Sequence, residues 1–185
     1  TKPVFMQPKL DGVRCLIQQE FHKDGDKVVA YSRTGKKWLN IDHILQSLKP
    51  FFAGNPDVIL DGELYNHALK DDFEKIISCV RKTKPTDADR AESRKLVQFH
   101  CYDIVDETLK FDERYKFVFD NLRDSYGVRT VETTQCFTEG DAKVFHEDNL
   151  DRGYEGSILR LNTEYQCKRS HSPVSYTHLR AHETK

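Results

Sequence analysis

Lys9, Asp11, Gly12 and Arg14 fall within the six residues Lys9-Leu10-Asp11-Gly12-Val13-Arg14, close to the start of the chain. A lysine amine becomes a nucleophile when burial or a nearby cation favours its neutral form, and Arg14 is a cation close in sequence. Gly12 permits the tight backbone that would bring both side chains to one ligand. Taken alone, these residues read equally well as solvated surface charges, which is what isolated Lys, Asp and Arg usually are. Four further polar clusters follow: Tyr31-Ser32-Arg33-Thr34-Gly35-Lys36, Leu60-Asp61-Gly62-Glu63-Leu64, His100-Cys101-Tyr102-Asp103-Ile104 and Gly153-Tyr154-Glu155-Gly156-Ser157-Ile158-Leu159-Arg160. Singly, the first is a basic hairpin turn, the second an acidic turn, and Tyr102 a core aromatic.

These clusters must be held by a folded chain. Of 185 residues, 37% are hydrophobic, 32% charged and 11% aromatic, which predicts one domain with its own core and argues against disorder. Charges interrupt every apolar run well short of the roughly 18 residues a membrane span needs. Lys+Arg 29 against Asp+Glu 30 gives a net charge of -1, so a polyanion would have to be held by a local basic groove. Cys15, Cys79, Cys101, Cys136 and Cys167 are odd in number and scattered without a CxxC pair, which suggests neither a disulfide framework nor zinc. A reducing interior is the expectation. No secretory signal is visible, and the absence of an initiator Met fits a chain that begins inside a longer protein.

Periodicity places the clusters on alternating elements. Residues 13–19 and 28–32 read as strands of a hairpin closed by Lys23-Asp24-Gly25-Asp26. Ile41, Ile44, Leu45, Leu48 and Phe52 recur at helical spacing, with Asn40 as N-cap and Pro50 and Gly54-Asn55-Pro56 marking the end. A strand over 58–60 enters a loop at Asp61-Gly62 and resumes at 63–65. Residues 71–81 read as a helix, and the charged stretch 82–95 as a solvated loop or lid. Beyond it, 96–105, 130–137 and 155–161 read as strands, and 111–126 and 141–150 as helices. The order predicts an α+β fold of antiparallel sheets flanked by helices rather than a doubly wound parallel sheet.

The first cluster matches K-x-D-G-x-R at every fixed position, and with the four that follow in order it resembles the covalent nucleotidyltransferases: ATP-dependent DNA ligases, RNA ligases and mRNA capping enzymes. The resemblance covers residues 9–160 and implies their ATP-grasp-like nucleotidyltransferase domain. It implies Lys9 as the nucleophile that carries AMP, and Arg14, Arg33, Glu63 and Tyr102 as nucleotide-binding residues. Arg33 would also meet the new 5′-phosphate, and Tyr102 would stack on the purine. Glu63 and Glu155 would bind Mg²⁺. Such chemistry is consistent with the residue types. Amine attack on an α-phosphorus needs cations for the nonbridging oxygens, guanidinium forks suit phosphate and ribose, and carboxylates are hard ligands for Mg²⁺.

Glu155-Gly156 resembles DNA ligases, where capping enzymes usually carry aspartate, and Arg14 resembles the ATP-dependent enzymes rather than the NAD-dependent ones. Compact bacteriophage-type DNA ligases, with roles in DNA repair, replication and recombination, are the nearest likeness. The resemblance implies three steps, in which Lys9 takes AMP from ATP, AMP passes to the 5′-phosphate of nicked duplex DNA, and the 3′-hydroxyl displaces it. Lys36, Lys37, Arg81, Lys82 and Lys84 are candidates for backbone phosphate contacts by a monomer, against an equal reading as a solvated face. The alternatives are an RNA ligase or capping-type transferase, and a noncatalytic nucleotide- or DNA-binding module.

Tyr165-Gln166-Cys167-Lys168-Arg169-Ser170 resembles the Y-x-x-K-R-S segment of phage-type ligases, after which paired lysines and an OB-fold would be expected. The chain instead runs from Pro173 to Lys185, and residues 174–184 resemble a reading frame through a transposase adapter used in preparing sequencing libraries. Residues 1–172 are therefore read as the adenylation domain, truncated at both ends, and 173–185 as a non-native tail. His178 and His182 are not read as a metal site. On this reading the polypeptide forms a nucleotide pocket, is severely impaired in adenylation and does not seal nicks.

Overall fold

The computed structural model of the chain describes residues 3–167 and 173–175. The first elements are β1 (Val4–Lys9), β2 (Val13–Glu20), β3 (Lys27–Tyr31), α1 (Asp42–Gly54), β4 (Leu60–Tyr65), α2 (Phe73–Val80) and α3 (Asp87–Leu96), with a 3-10 turn at His67–Leu69. They are followed by β5 (Gln98–Ile104), α4 (Phe111–Asn121), β6 (Val128–Thr130), β7 (Thr134–Cys136), α5 (Glu139–Asp151), β8 (Gly156–Arg160) and β9 (Pro173–Ser175). The α+β expectation holds, and among the described ladders only β5 with β6 is parallel. The chain forms two compact units. One gathers the described residues of 1–11, 106–116 and 131–185, and the other those of 12–105 and 117–130.

The first unit is built on a four-stranded sheet in the order β7-β1-β8-β9. Alternation along β1 sends Met6 to one face, where it packs with Cys136, Ala142 and Phe145 under α5. Phe5, Gln7 and Lys9 point to the other face. Thr138 and Asp141 form a capping box at the start of α5, which satisfies amide groups the helix leaves open.

The second unit carries a five-stranded sheet in the order β3-β2-β4-β5-β6. Its core joins Cys15 and Ile17 of β2, Leu60 and Leu64 of β4, and Phe99 and Cys101 of β5 with Ile44, Leu48 and Phe52 of α1 and Val80 of α2. The opposite face carries Arg14, Asp61, Glu63 and His100. At the centre β4 and β5 approach so closely that a Cβ on Gly62 would lie 2.2 Å from the His100 carbonyl oxygen. The register shifts at Asp61/Gly62, which leaves Tyr102 as the extra residue of a β-bulge between Cys101 and Asp103.

Several local expectations are corrected. β4 runs unbroken through Asp61-Gly62, because ladder bonds to both neighbours hold the turn-forming pair extended. Val58 and Ile59 lie outside it. Ile41, not Asn40, is the N-cap of α1, and Asn40 is buried with its amide donating to the Cys79 and Asp89 carbonyls. Pro50 lies inside α1, whose next two residues, Phe51 and Phe52, are buried and carry the helix past it. The stretch 82–95 contains α3, started by a capping box of Thr86 and Asp89. Residues 130–137 split into β6 and β7, which join different sheets. A strand not expected from periodicity, β1, precedes the hairpin, so Lys9 ends a strand and the motif's loop leads out of it.

His100 sits against the Tyr65 ring, centroids 5.3 Å apart and edge to face, with Nε2 2.9 Å from Gln98 Oε1. Burial, helped by the charge of Arg129, lowers its pKa from 6.5 to about 4. The folded chain therefore refuses a proton that the unfolded chain accepts. The resulting stability is fully present above pH 6.5 and is lost as pH falls towards 4, amounting to roughly 3 kcal/mol at most. Urea titrations across this window are expected to show that slope, and H100Q to flatten it. Gly62→Ala is expected to cost at least about 1–3 kcal/mol from overpacking, whereas G54A, with open space around its Cβ, should be neutral or slightly stabilising by the same measurement.

Candidate active site

In the first unit, the pairing of β1 with β8 sets Lys9 opposite Gly156 and brings Glu155 beside it. Lys9 Nζ lies 2.7 Å from Glu155 Oε1. Two residues earlier on the same face of β1, Gln7 is fully buried, donating through Nε2 to Thr133 Oγ1 at 2.8 Å and accepting from Arg160 Nε at 2.6 Å. The Arg160 guanidinium lies over the Phe111 ring, which meets Phe5 edge to face. A rigid floor of Phe5, Gln7 and Phe111 thus underlies the lysine's strand, and Arg160 is held at its margin.

In the second unit, Arg14 is engaged by Asp61 in a two-pronged ion pair, Nε to Oδ1 at 3.0 Å and Nη2 to Oδ2 at 2.9 Å. Such a fork fixes the guanidinium plane. Arg14 also faces Glu63 across the β2–β4 ladder, and Glu63 faces His100 across β4–β5. The half-buried Tyr102 stands in the bulge beside them. A Cβ on Gly12 would lie 2.5 Å from the Leu64 carbonyl oxygen, so the motif's glycine is required by close approach to β4. Arg33 sits exposed at the tip of a turn stitched by Ser32, whose Oγ accepts from the Thr34 and Lys36 amides. Gly35, at φ +81°, closes that turn. Trp38 ties the hairpin back to β2 by donating to the Arg14 carbonyl at 3.4 Å.

The structure therefore pairs Lys9 with Glu155 and collects Arg14, Glu63 and Tyr102 on neighbouring strands of one sheet. Within its own unit Lys9 meets Glu155, and within the other Arg14 is matched to Asp61. Asp61 and Gln7 were not singled out by sequence. The signal for Asp61 lay in its own motif, two residues before Glu63 on a strand and hence on the same face. Among the basic candidates, Lys37 lies 3.7 Å from Glu20 and Lys82 3.4 Å from Asp89, while Lys36, Arg81 and Lys84 are part of the exposed or cleft-lining surface. Lys84 lines a cleft of about 470 Å³ with Trp38, Leu39, Pro85 and Arg90. Lys168, Arg169 and Ser170, like His178 and His182, lie outside the described residues.

No three His, Cys, Asp or Glu side chains gather into a metal cage among the described residues. Glu155, a part-exposed carboxylate, nevertheless suits Mg²⁺, which keeps most of its waters and takes one or two carboxylates.

The chain is 29% identical over 171 residues to a DNA ligase of African swine fever virus (isolate Tick/South Africa/Pretoriuskop Pr4/1996), covering 90% of this chain and 38% of that protein. It is 29% identical over 180 residues to the DNA ligase of the Pig/Kenya/KEN-50/1950 isolate, covering 94% and 40%. The chain thus spans about two fifths of the length of these relatives. Among solved structures it superposes on one titled Pmar-Lig_PreS3 with a TM-score of 0.72 at 22% identity, covering 94% of this chain and 42% of that one. It superposes on the Chlorella virus DNA ligase-adenylate with a TM-score of 0.65 at 18% identity, covering 92% and 59%. These likenesses establish the nucleotidyltransferase fold of ligases. Residues 1–172 match the ATP dependent DNA ligase domain, and the chain belongs to that family.

Proposed function

We propose that this chain is the nucleotide-charging part of an enzyme that seals nicks in duplex DNA, with Lys9 as its nucleophile. The carrying observation is the strand register that ends β1 on Lys9 and sets its amine on Glu155. Lys9 Nζ forms a bond to the α-phosphorus of ATP as the bond to the β-phosphate oxygen breaks and pyrophosphate leaves. The amine must lose its proton, and Glu155 Oε1 is the acceptor within reach. In the second unit, Arg14 and Glu63 address ribose and phosphate, Tyr102 offers its ring to the purine, and Arg33 meets the 5′-phosphate of the nick. Glu155 in the first unit and Glu63 in the second are the carboxylates that would hold Mg²⁺, whose chemistry would be to absorb charge on phosphate oxygens. Lys36, Lys37, Arg81, Lys82 and Lys84 contact DNA backbone phosphates; all five are exposed, and Lys37 and Lys82 would give up only surface ion pairs with Glu20 and Asp89 to do so. AMP then passes to the 5′-phosphate, and the 3′-hydroxyl displaces it. No observation favours an RNA ligase, a capping enzyme or a noncatalytic module over this reading.

A monomer working in a reducing cytosol is part of the same proposal, and five free thiols, four of them buried, support the reducing setting. No helix among the described residues is long and apolar enough to cross a membrane. The tail from residue 173 is read as foreign, supported by a family match that ends at 172. Pro173–Ser175 pair with β8 as an edge strand, a main-chain contact that many sequences can make.

Incubation with labelled ATP and Mg²⁺ tests the nucleophile. Lys9→Ala is expected to abolish covalent label while retaining ATP binding, and label surviving in K9A would refute the assignment. In nicked-DNA binding measured against salt, K36A is expected to reduce the slope by about 1, and an unchanged slope would remove Lys36 from the interface.

A further inference from the structure

Asn149 fastens both ends of the short segment that carries Glu155. α5 closes in a Schellman turn: the Tyr154 amide donates to the Asn149 carbonyl and the Gly153 amide to the Leu150 carbonyl, each at 3.0 Å, with Gly153 at φ +85°. Three residues on, the Asn149 side chain donates from Nδ2 to Ser157 Oγ at 2.8 Å, and His146 Nδ1 lies 3.2 Å from the same oxygen. Asn149 and Ser157 are wholly buried and His146 nearly so. Glu155 therefore sits in a four-residue span, 154–157, whose two ends are bonded to one asparagine. That span also sets the strand pairing, because Ser157 lies opposite Pro8 and Gly156 opposite Lys9.

Stability alone does not account for these residues. Asn149 Oδ1 is buried with no hydrogen bond among the described residues, a cost that an apolar residue of similar size would avoid. A buried polar network does what apolar packing does less well, which is to fix direction. We propose that Asn149, Ser157 and His146 are positioning residues that act through the 154–157 span to hold the Glu155 carboxylate on the Lys9 amine. The functional sense of this inference rests on the reading of Lys9 as nucleophile.

The test reads the Lys9–Glu155 contact directly. The full chain and its Ser157→Ala, Asn149→Ala and Glu155→Gln variants are treated with acetic anhydride at one pH. Acetylation rates of Lys9 and of the surface reference Lys143 are followed by peptide mass spectrometry, and thermal melts confirm folding. Released from its carboxylate, Lys9 is expected to react severalfold faster in E155Q, S157A and N149A, with Lys143 unchanged. The S157A/N149A double variant should react no faster than either single one, because both act through one network. If N149A does not fold, S157A decides. An unchanged Lys9 rate in a folded S157A, with E155Q accelerated, overturns the inference, and an unchanged rate in E155Q overturns it as well by removing the pair it orients. Survival of ATP label in K9A is a separate result that would strike only the nucleophile reading.

Discussion

The antiparallel register of β1 on β8 is the constraint on which the rest depends. It sets Lys9 opposite Gly156 and so brings the amine to Glu155. A slip of one residue would turn every β1 side chain to the other face, taking Met6 away from Cys136, Ala142 and Phe145 and Lys9 away from the face that carries Gln7. The apolar packing of Met6 thus enforces the polar geometry of Lys9, although the two side chains never share a face. The same alternation buries Gln7, which links Thr133 to Arg160 and stiffens the strand just before the lysine.

The second unit solves a different problem, which is to hold charge on one face of a sheet whose other face packs the apolar core. Arg14 and Asp61 do so as a two-pronged pair, with Glu63 next along β4. The bulge at Tyr102 interrupts strict alternation between Cys101 and Asp103. Bulges are a means of re-aiming one side chain without disturbing the ladder around it. Gly62 and Gly12 allow the close backbone approaches that make this packing possible.

Much of this was legible in the sequence because motifs and strand periodicity coincide. Lys9, Arg14, Glu63, Tyr102 and Glu155 are all on or beside strands, and strand alternation fixes which residues share a face. What was not legible depended on tertiary contact. Asn40 looks like an N-cap because capping needs only local atoms, but its amide is claimed by the carbonyls of Cys79 and Asp89, distant in sequence. α3 is too charged to show an apolar stripe, although the Thr86 and Asp89 spacing that caps it was present. The Asp61 partner of Arg14 was not legible either, because it comes from a strand 47 residues along the chain. Residues 130–137 carry no punctuation strong enough to reveal that two sheets divide them.

The most direct measurement is the chemical location of the nucleotide. After prolonged incubation with ATP and Mg²⁺, peptide mass spectrometry under conditions that preserve the phosphoramidate bond should find AMP on Lys9, at whatever yield. AMP on a different residue, with Lys9 unmodified, would contradict the account.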